Sequence, residues 1–247
     1  MSLKRLDPQY RKEKILAYVV SHYIQDIVPV SSNQIVEEQL FALSPATIRN
    51  VLAELEDDGF LTHPHTSAGR VPTQDGYRYY VDHLMEEINL LAAEKQRIMA
   101  EYSQGILELE VLLEKTSEIL SQETQYPSII SIDGYGDKIF CRGISFVAGY
   151  PEFHNFQKIE CLLRLLEQKE RILEIINRDL EKKIHIYIGD EAGCSDMDGC
   201  SLIVSRYGKK DGPQGRVALL GPTRMNYEKT ISTLEYFTEL IDEMLVG

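Results

Sequence analysis

Residues 43–61 read LSPATIRNVLAELEDDGFL. Ser44-Pro45 pairs a side-chain acceptor for free N–H groups with a ring that presets the helical φ, so a helix starts there. Ile48, Val51, Leu52 and Leu55 recur at three- and four-residue steps and form one apolar stripe. Gly59 stops the helix, since glycine takes the left-handed cap conformation at no steric cost. The opposite side carries Ala46, Thr47, Arg49, Asn50 and Ala53. Small residues near the N-terminus let the backbone come close to another surface. Arg pairs bidentately with guanine O6 and N7, and Asn with adenine N6 and N7. The free N–H groups of a helix start also attract phosphate. A solvated surface face would look the same, so spacing alone leaves both readings open.

Working outward, Asp7-Pro8 is another cap-plus-proline start. Ile15, Val19, Tyr23 and Ile27 follow at four-residue steps, with Leu16 and Val20 beside them. This helix ends near 26–29. Ser31-Ser32-Asn33-Gln34 has the S-x-x-Q pattern of a capping box and opens a short second helix with Ile35, Val36 and Leu40 inward. Phe41-Ala42-Leu43 is the tight turn to the third helix. Three helices with such a turn make a helix-turn-helix pattern. After the third helix, Phe60-Leu61-Thr62 and Arg70-Val71-Pro72 flank the polar loop His63–Gly69, which predicts a β-hairpin wing with Pro64 and Pro72 at edge or loop positions. The expected DNA-contacting residues are Ser31, Thr47, Arg49 and Asn50, then His65, Thr66, Ser67 and Arg70 of the wing, and Arg78 beyond it.

Thr73 caps a long helix expected to start at Gln74. Positions 84, 88, 91, 95, 98, 102, 105, 109, 112, 116 and 119 alternate steps of four and three, and eight of the eleven are apolar or aromatic. The seam comprises Leu84, Ile88, Leu91, Ile98, Tyr102, Leu109, Leu112 and Ile119. A 3.5-residue period over five heptads predicts a dimer coiled coil, and an ordinary core helix lying on its own domain is the alternative. Beyond Pro127, strands are expected at 128–132, 138–144, 183–188, 201–207 and 216–220, and helices at about 155–181 and 226–245. The fold class is thus α+β: a winged helix-turn-helix over 1–73, a linking and dimerising helix over 74–125, and an α/β domain over 126–247.

Composition narrows the function. The chain has 247 residues, 43% apolar and 26% charged. No run approaches the roughly 18 apolar residues of a membrane span, and Met1–Leu6 leads into charged, periodic sequence rather than a signal peptide's apolar stretch. A cytoplasmic protein without a membrane partner is expected. Net charge is −13, which argues against non-specific nucleic-acid binding, so any DNA contact must rest on local geometry. The four cysteines are widely spread and form no C-x-x-C pair, and His63 and His65 lack a third clustered ligand, so neither metal nor cofactor is expected. Gly134-Tyr135-Gly136 lacks the third glycine of a dinucleotide loop, no phosphate-binding G-x-x-x-x-G-K-[ST] occurs, and Ser195 has no nucleophile context. Asp196 and Asp198 lack later calcium ligands. No acid–base or nucleophile set converges, so the sequence does not read as an enzyme.

The segments LSPATIRNVLAELEDDGFL at 43–61 and PHTSAGRVPTQDGYRYYVD at 64–82 resemble the HrcA family of bacterial heat-inducible transcription repressors. So do Gly149-Tyr150-Pro151-Glu152-Phe153, Ile188-Gly189-Asp190-Glu191 and Gly221–Tyr227. Family members are longer, with extra sequence between the long helix and the PEF motif, where this chain has only Gln125–Gly149. The resemblance implies a GAF-like C-terminal domain, and repression of chaperone operons as a homodimer on an inverted-repeat operator, CIRCE. It also implies activity favoured by the GroEL chaperonin. The shortening departs from the family's dimerising middle and shifts weight to the Leu84–Ile119 seam. A winged-helix regulator whose GAF-like domain senses a small effector is the alternative.

Overall fold

The computed structural model describes residues 7–38, 41, 43–64, 69–102, 109–134, 138–153, 155–178, 182–194, 197, 199–208 and 212–245. It has a mixed helix-and-sheet architecture in two compact units, Met1–Glu86 and Glu87–Gly247. No helix among the described residues is long and apolar enough to cross a membrane.

The first unit begins with α1, Pro8–Asp26, whose N-cap Asp7 accepts from the Gln9 N–H and whose inner face buries Ile15, Leu16, Val19 and Val20. It ends at Ile27 in the left-handed region (φ 58°), with the Ile27 N–H donating to the Tyr23 carbonyl. α2, Ser32–Glu37, is capped by Ser31, whose hydroxyl accepts from the Gln34 N–H. The capping box is only half formed, because the Gln34 side chain turns to His22 instead. α3, Pro45–Asp57, buries Ile48, Val51, Leu52 and Leu55, the stripe read from the sequence. Its end is a Schellman turn: Gly59 N–H donates to Glu56 O at 3.0 Å, Phe60 N–H donates to Leu55 O at 2.9 Å, and Gly59 sits at φ +84°.

A two-stranded antiparallel ribbon follows. β1, Leu61–Thr62, pairs with β2, Val71–Pro72, in the register Leu61↔Pro72 and Thr62↔Val71. Arg70 and Val30 exchange backbone hydrogen bonds at 2.9 and 2.8 Å, tying the ribbon to the α1–α2 connection. A Cβ on Gly69 would lie 2.5 Å from the Val30 carbonyl carbon and oxygen, so only glycine allows this approach. Thr73 caps α4, Gln74–Tyr79, by accepting from the Gly76 N–H, and its own N–H and hydroxyl donate to Phe60 O and Gly59 O. The helix continues through one π turn, Tyr80–Leu84, and then stops at extended Met85.

In the second unit, α5, Ala92–Glu101, and α6, Leu109–Thr124, precede a five-stranded sheet in the order β4-β3-β7-β6-β5, antiparallel throughout. The strands are β3, Ser128–Ile132; β4, Ile139–Arg142; β5, Ile184–Ile188; β6, Cys200–Gly208; and β7, Gln214–Pro222. All five overlap the β-rich apolar runs from which strands were expected, with ends shifted by up to two residues. One face packs α7, Phe156–Glu167, and α8, Lys169–Ile176, through a core that includes Ile129, Leu202, Val204, Ala218 and Leu220 with Leu162, Leu165, Ile172, Ile175 and Ile176. The other face packs α6 and α9, Tyr227–Met244. Hydroxyls bridge these layers, with Ser117 to Ser128 at 2.8 Å and Ser201 to Tyr227 at 2.7 Å.

The single helix expected over 74–125 is not one helix. It stops at Leu84, residues 85–91 are not helical, and α5 restarts where the Glu94 carboxylate accepts from the Leu91 N–H at 2.9 Å. Leu84 belongs to the first unit and the rest of the seam to the second, so the expected 74–125 segment is divided between them. Periodicity shows that each piece has one buried face. It does not show that successive faces are buried against the same partner.

Candidate nucleic-acid interface

α3 turns its apolar stripe into the first unit and leaves Ala46, Arg49, Asn50 and Ala53 exposed. Arg49 makes no ion pair with a described residue. Its Nε donates to the Ser32 hydroxyl at 3.4 Å, so α2 steadies it without neutralising it. Ser32 is a residue the sequence reading missed. Thr47 is half-buried, and its hydroxyl lies 2.8 Å from that of Ser44, so it supports the helix start more than it faces outward. Ser31 is exposed, with its hydroxyl engaged in capping α2.

The acidic run at the end of α3 is met by cations of its own unit. Lys12 of α1 lies 2.6 Å from Asp58 and 3.6 Å from Glu54. The hydrogen bond to Asp58 leads the causes that hold the Lys12 ammonium above its usual pKa. Glu56 Oε1 lies 2.5 Å from His63 Nδ1, and its Oε2 lies 3.0 Å from Arg70 Nη2. Arg70, the wing cation expected to meet DNA, is thus paired with an acid of its own unit. Arg78 likewise pairs with Asp82 one turn on, at 3.2 Å. Both pairings have one cause: a sequence gives the number of acids near a cation but not which of them the fold brings within reach. His65, Thr66 and Ser67 lie outside the described residues.

The expected dimer seam is largely spent within its own chain. Ile98, Tyr102 and Leu112 are buried, and the Tyr102 hydroxyl donates to Thr116 at 2.8 Å. Leu84 and Leu109 are half-buried. Only Ile88 and Leu91 stand exposed, at 43% and 69%. No group of three or more metal-ligating side chains occurs among the described residues, and all four cysteines are free thiols.

The C-terminal motifs serve as latches. Arg224 forms a two-point ion pair with Glu152, and its guanidinium lies 5.8 Å from the Tyr150 ring, which stacks on Tyr126 at 5.6 Å. Glu191 accepts from the Ile188 N–H, and the Tyr227 hydroxyl donates to the Thr223 carbonyl.

The family model for the HrcA protein C-terminal domain matches residues 131–231. The heat-inducible transcription repressor HrcA of Carboxydothermus hydrogenoformans is 28% identical over 333 aligned positions, covering 95% of this chain and 97% of the relative. That of Desulforudis audaxviator is 28% identical over 334 positions, with the same coverage. Since 95% of this chain is about 235 residues, about 98 of the 333 positions face a gap in it. A crystal structure described as a hypothetical protein matches the fold with a TM-score of 0.77 over 99% of both chains, at 18% identity. The latches, the element order and the near full-length similarity agree: this chain is similar to the heat-inducible transcription repressors named HrcA, and about 98 of the aligned positions have no counterpart in it.

Proposed function

We propose that the chain is a DNA-binding transcriptional repressor of chaperone genes, acting as a homodimer on an inverted-repeat operator of the CIRCE type. On this reading residues 7–86 form a winged helix-turn-helix, with α3 entering the major groove and the β1–β2 ribbon as the wing. The second unit is a GAF-like regulatory domain, through which chaperonin favours the binding-competent state. The observation that carries the reading is the outward row Ala46, Arg49, Asn50 and Ala53 on α3, with Arg49 held in place yet not neutralised. Two-fold pairing would set two such helices about one DNA turn apart, or a multiple of it, which matches an inverted repeat. Ile88 and Leu91 are the seam residues left to support it.

The test is salt-dependent binding of the full chain to a duplex carrying the CIRCE repeat and to a scrambled duplex. The reading expects a preference of at least about a thousandfold for the repeat, as specific DNA binders show. Equal affinity would remove it. Sedimentation equilibrium of the wild type and Leu91→Asp checks the pairing, with a dimer expected to weaken in the variant.

Effector sensing by the second unit is the other reading. A polar cavity of about 130 Å³ there is lined by Glu123, Thr124, Tyr126, Asn226, Lys229, Thr230 and Thr233. It is well below the roughly 300–1,000 Å³ of ordinary ligand pockets, so this cavity does not by itself carry the effector reading.

A further inference from the structure

Glu56, in the last turn of α3, holds both feet of the loop between the ribbon strands. His63 directly follows β1 and Arg70 directly precedes β2, and one carboxylate reaches both. The three side chains are only 24–31% exposed, so the pairing is partly shielded from water and salt. Arg70 is nevertheless incompletely satisfied, because its Nε is buried without a hydrogen-bond acceptor among the described residues.

We infer that Glu56 holds Arg70 in reserve, so that the ribbon's arginine reaches a DNA phosphate only by exchanging Glu56 for it. This deepens the repressor reading and rests on it. Sequence-independent affinity comes from cations that displace counterions from the phosphates. An arginine already neutralised by a carboxylate displaces none. It contributes only where α3 has seated well enough to bring a phosphate into competition with Glu56. Glu56 is thus a specificity-determining residue that touches no base: it suppresses binding to DNA that the reading helix does not fit. The −13 chain needs its few cations to act selectively, and this contact makes one of them conditional.

The experiment measures affinity against salt for the full chain on the CIRCE duplex and on a scrambled duplex, with unfolding curves confirming that each variant is folded. In Glu56→Gln, binding to scrambled DNA should tighten about tenfold near 0.1 M salt, and the log–log salt slope should steepen by roughly 0.9, one phosphate's worth. The gain on CIRCE should be smaller, so the preference falls. The gain should vanish in Glu56→Gln/Arg70→Gln, which separates release of Arg70 from simple loss of a negative charge. Arg70→Gln alone should leave the scrambled-DNA slope unchanged. The inference is overturned by an unchanged slope in folded Glu56→Gln, or by a gain that survives in the double variant. It is equally overturned if Arg70→Gln alone flattens the scrambled-DNA slope, an arm that decides the matter even if Glu56→Gln does not fold. Wild type with no preference for CIRCE would instead overturn the repressor reading.

Discussion

Arg49 is where sequence and structure meet most directly. The α3 stripe fixed which side of the helix is outward, and the outward Arg49 stands beside Ser32 rather than an acid. Arg49→Ala should weaken binding to the CIRCE duplex by about 1–3 kcal/mol, the worth of one bidentate base contact, while leaving stability within about 0.5 kcal/mol. Gel shift and denaturant unfolding measure the two, and unchanged operator affinity would remove Arg49 from the reading role. Arg70 shows what a sequence hides. Glu56 is fourteen residues away along the chain, and only the turn at Gly59 folds the ribbon back beside it. Ile27 shows a different cost, since a β-branched residue in the left-handed region is strained by roughly 1–2 kcal/mol. Ile27→Asn should raise unfolding stability by about 1 kcal/mol, because Asn tolerates that conformation. A lowered denaturation midpoint would mean that Ile27 has packing worth more than the strain.

At the scale of elements, caps and stripes were the most legible features. Ser44-Pro45, Gly59 and Thr73 each act as their types suggest, because the forces concerned are local. The five strands were legible for the same reason, as short β-rich apolar runs bounded by Gly, Asp or Pro are set locally. The continuous 74–125 helix was not, because its continuity depended on which bodies would bury its successive faces. Tight backbone contacts were also invisible: the sequence marks Gly69 as a loop glycine, whereas the fold presses its backbone against Val30. Gly69→Ala should therefore cost about 1–3 kcal/mol of stability in the first unit and weaken DNA binding with it. Far-ultraviolet melts paired with operator binding would check this, and a variant as stable as wild type would show that the bridge can yield.

For the whole molecule, alkaline pH is the informative axis. Burial drives the phenols of Tyr102 and Tyr207 above their ordinary value, and both rings are nearly inaccessible. Below about pH 10 both states of the chain keep these protons and stability is unaffected. Above it the unfolded chain releases them and the folded chain does not, so each tyrosine removes about 1.4 kcal/mol per pH unit until its folded pKa is reached. Tyr207→Phe should make the alkaline limb shallower by one such increment, although it loses the hydrogen bond to the Ser131 carbonyl. Unfolding curves between pH 9 and 11.5 measure this, and an unaltered limb would show that Tyr207 ionises freely. The paired backbones of Val30 and Arg70 matter at this scale too. They join the ribbon to a linker forty residues earlier, so peeling the ribbon away costs the contacts of that linker as well. Warming would then not fray the first unit by degrees. It would hold until the helices and ribbon let go together, which, on the proposed reading, gives a threshold rather than a gradient in the response to heat.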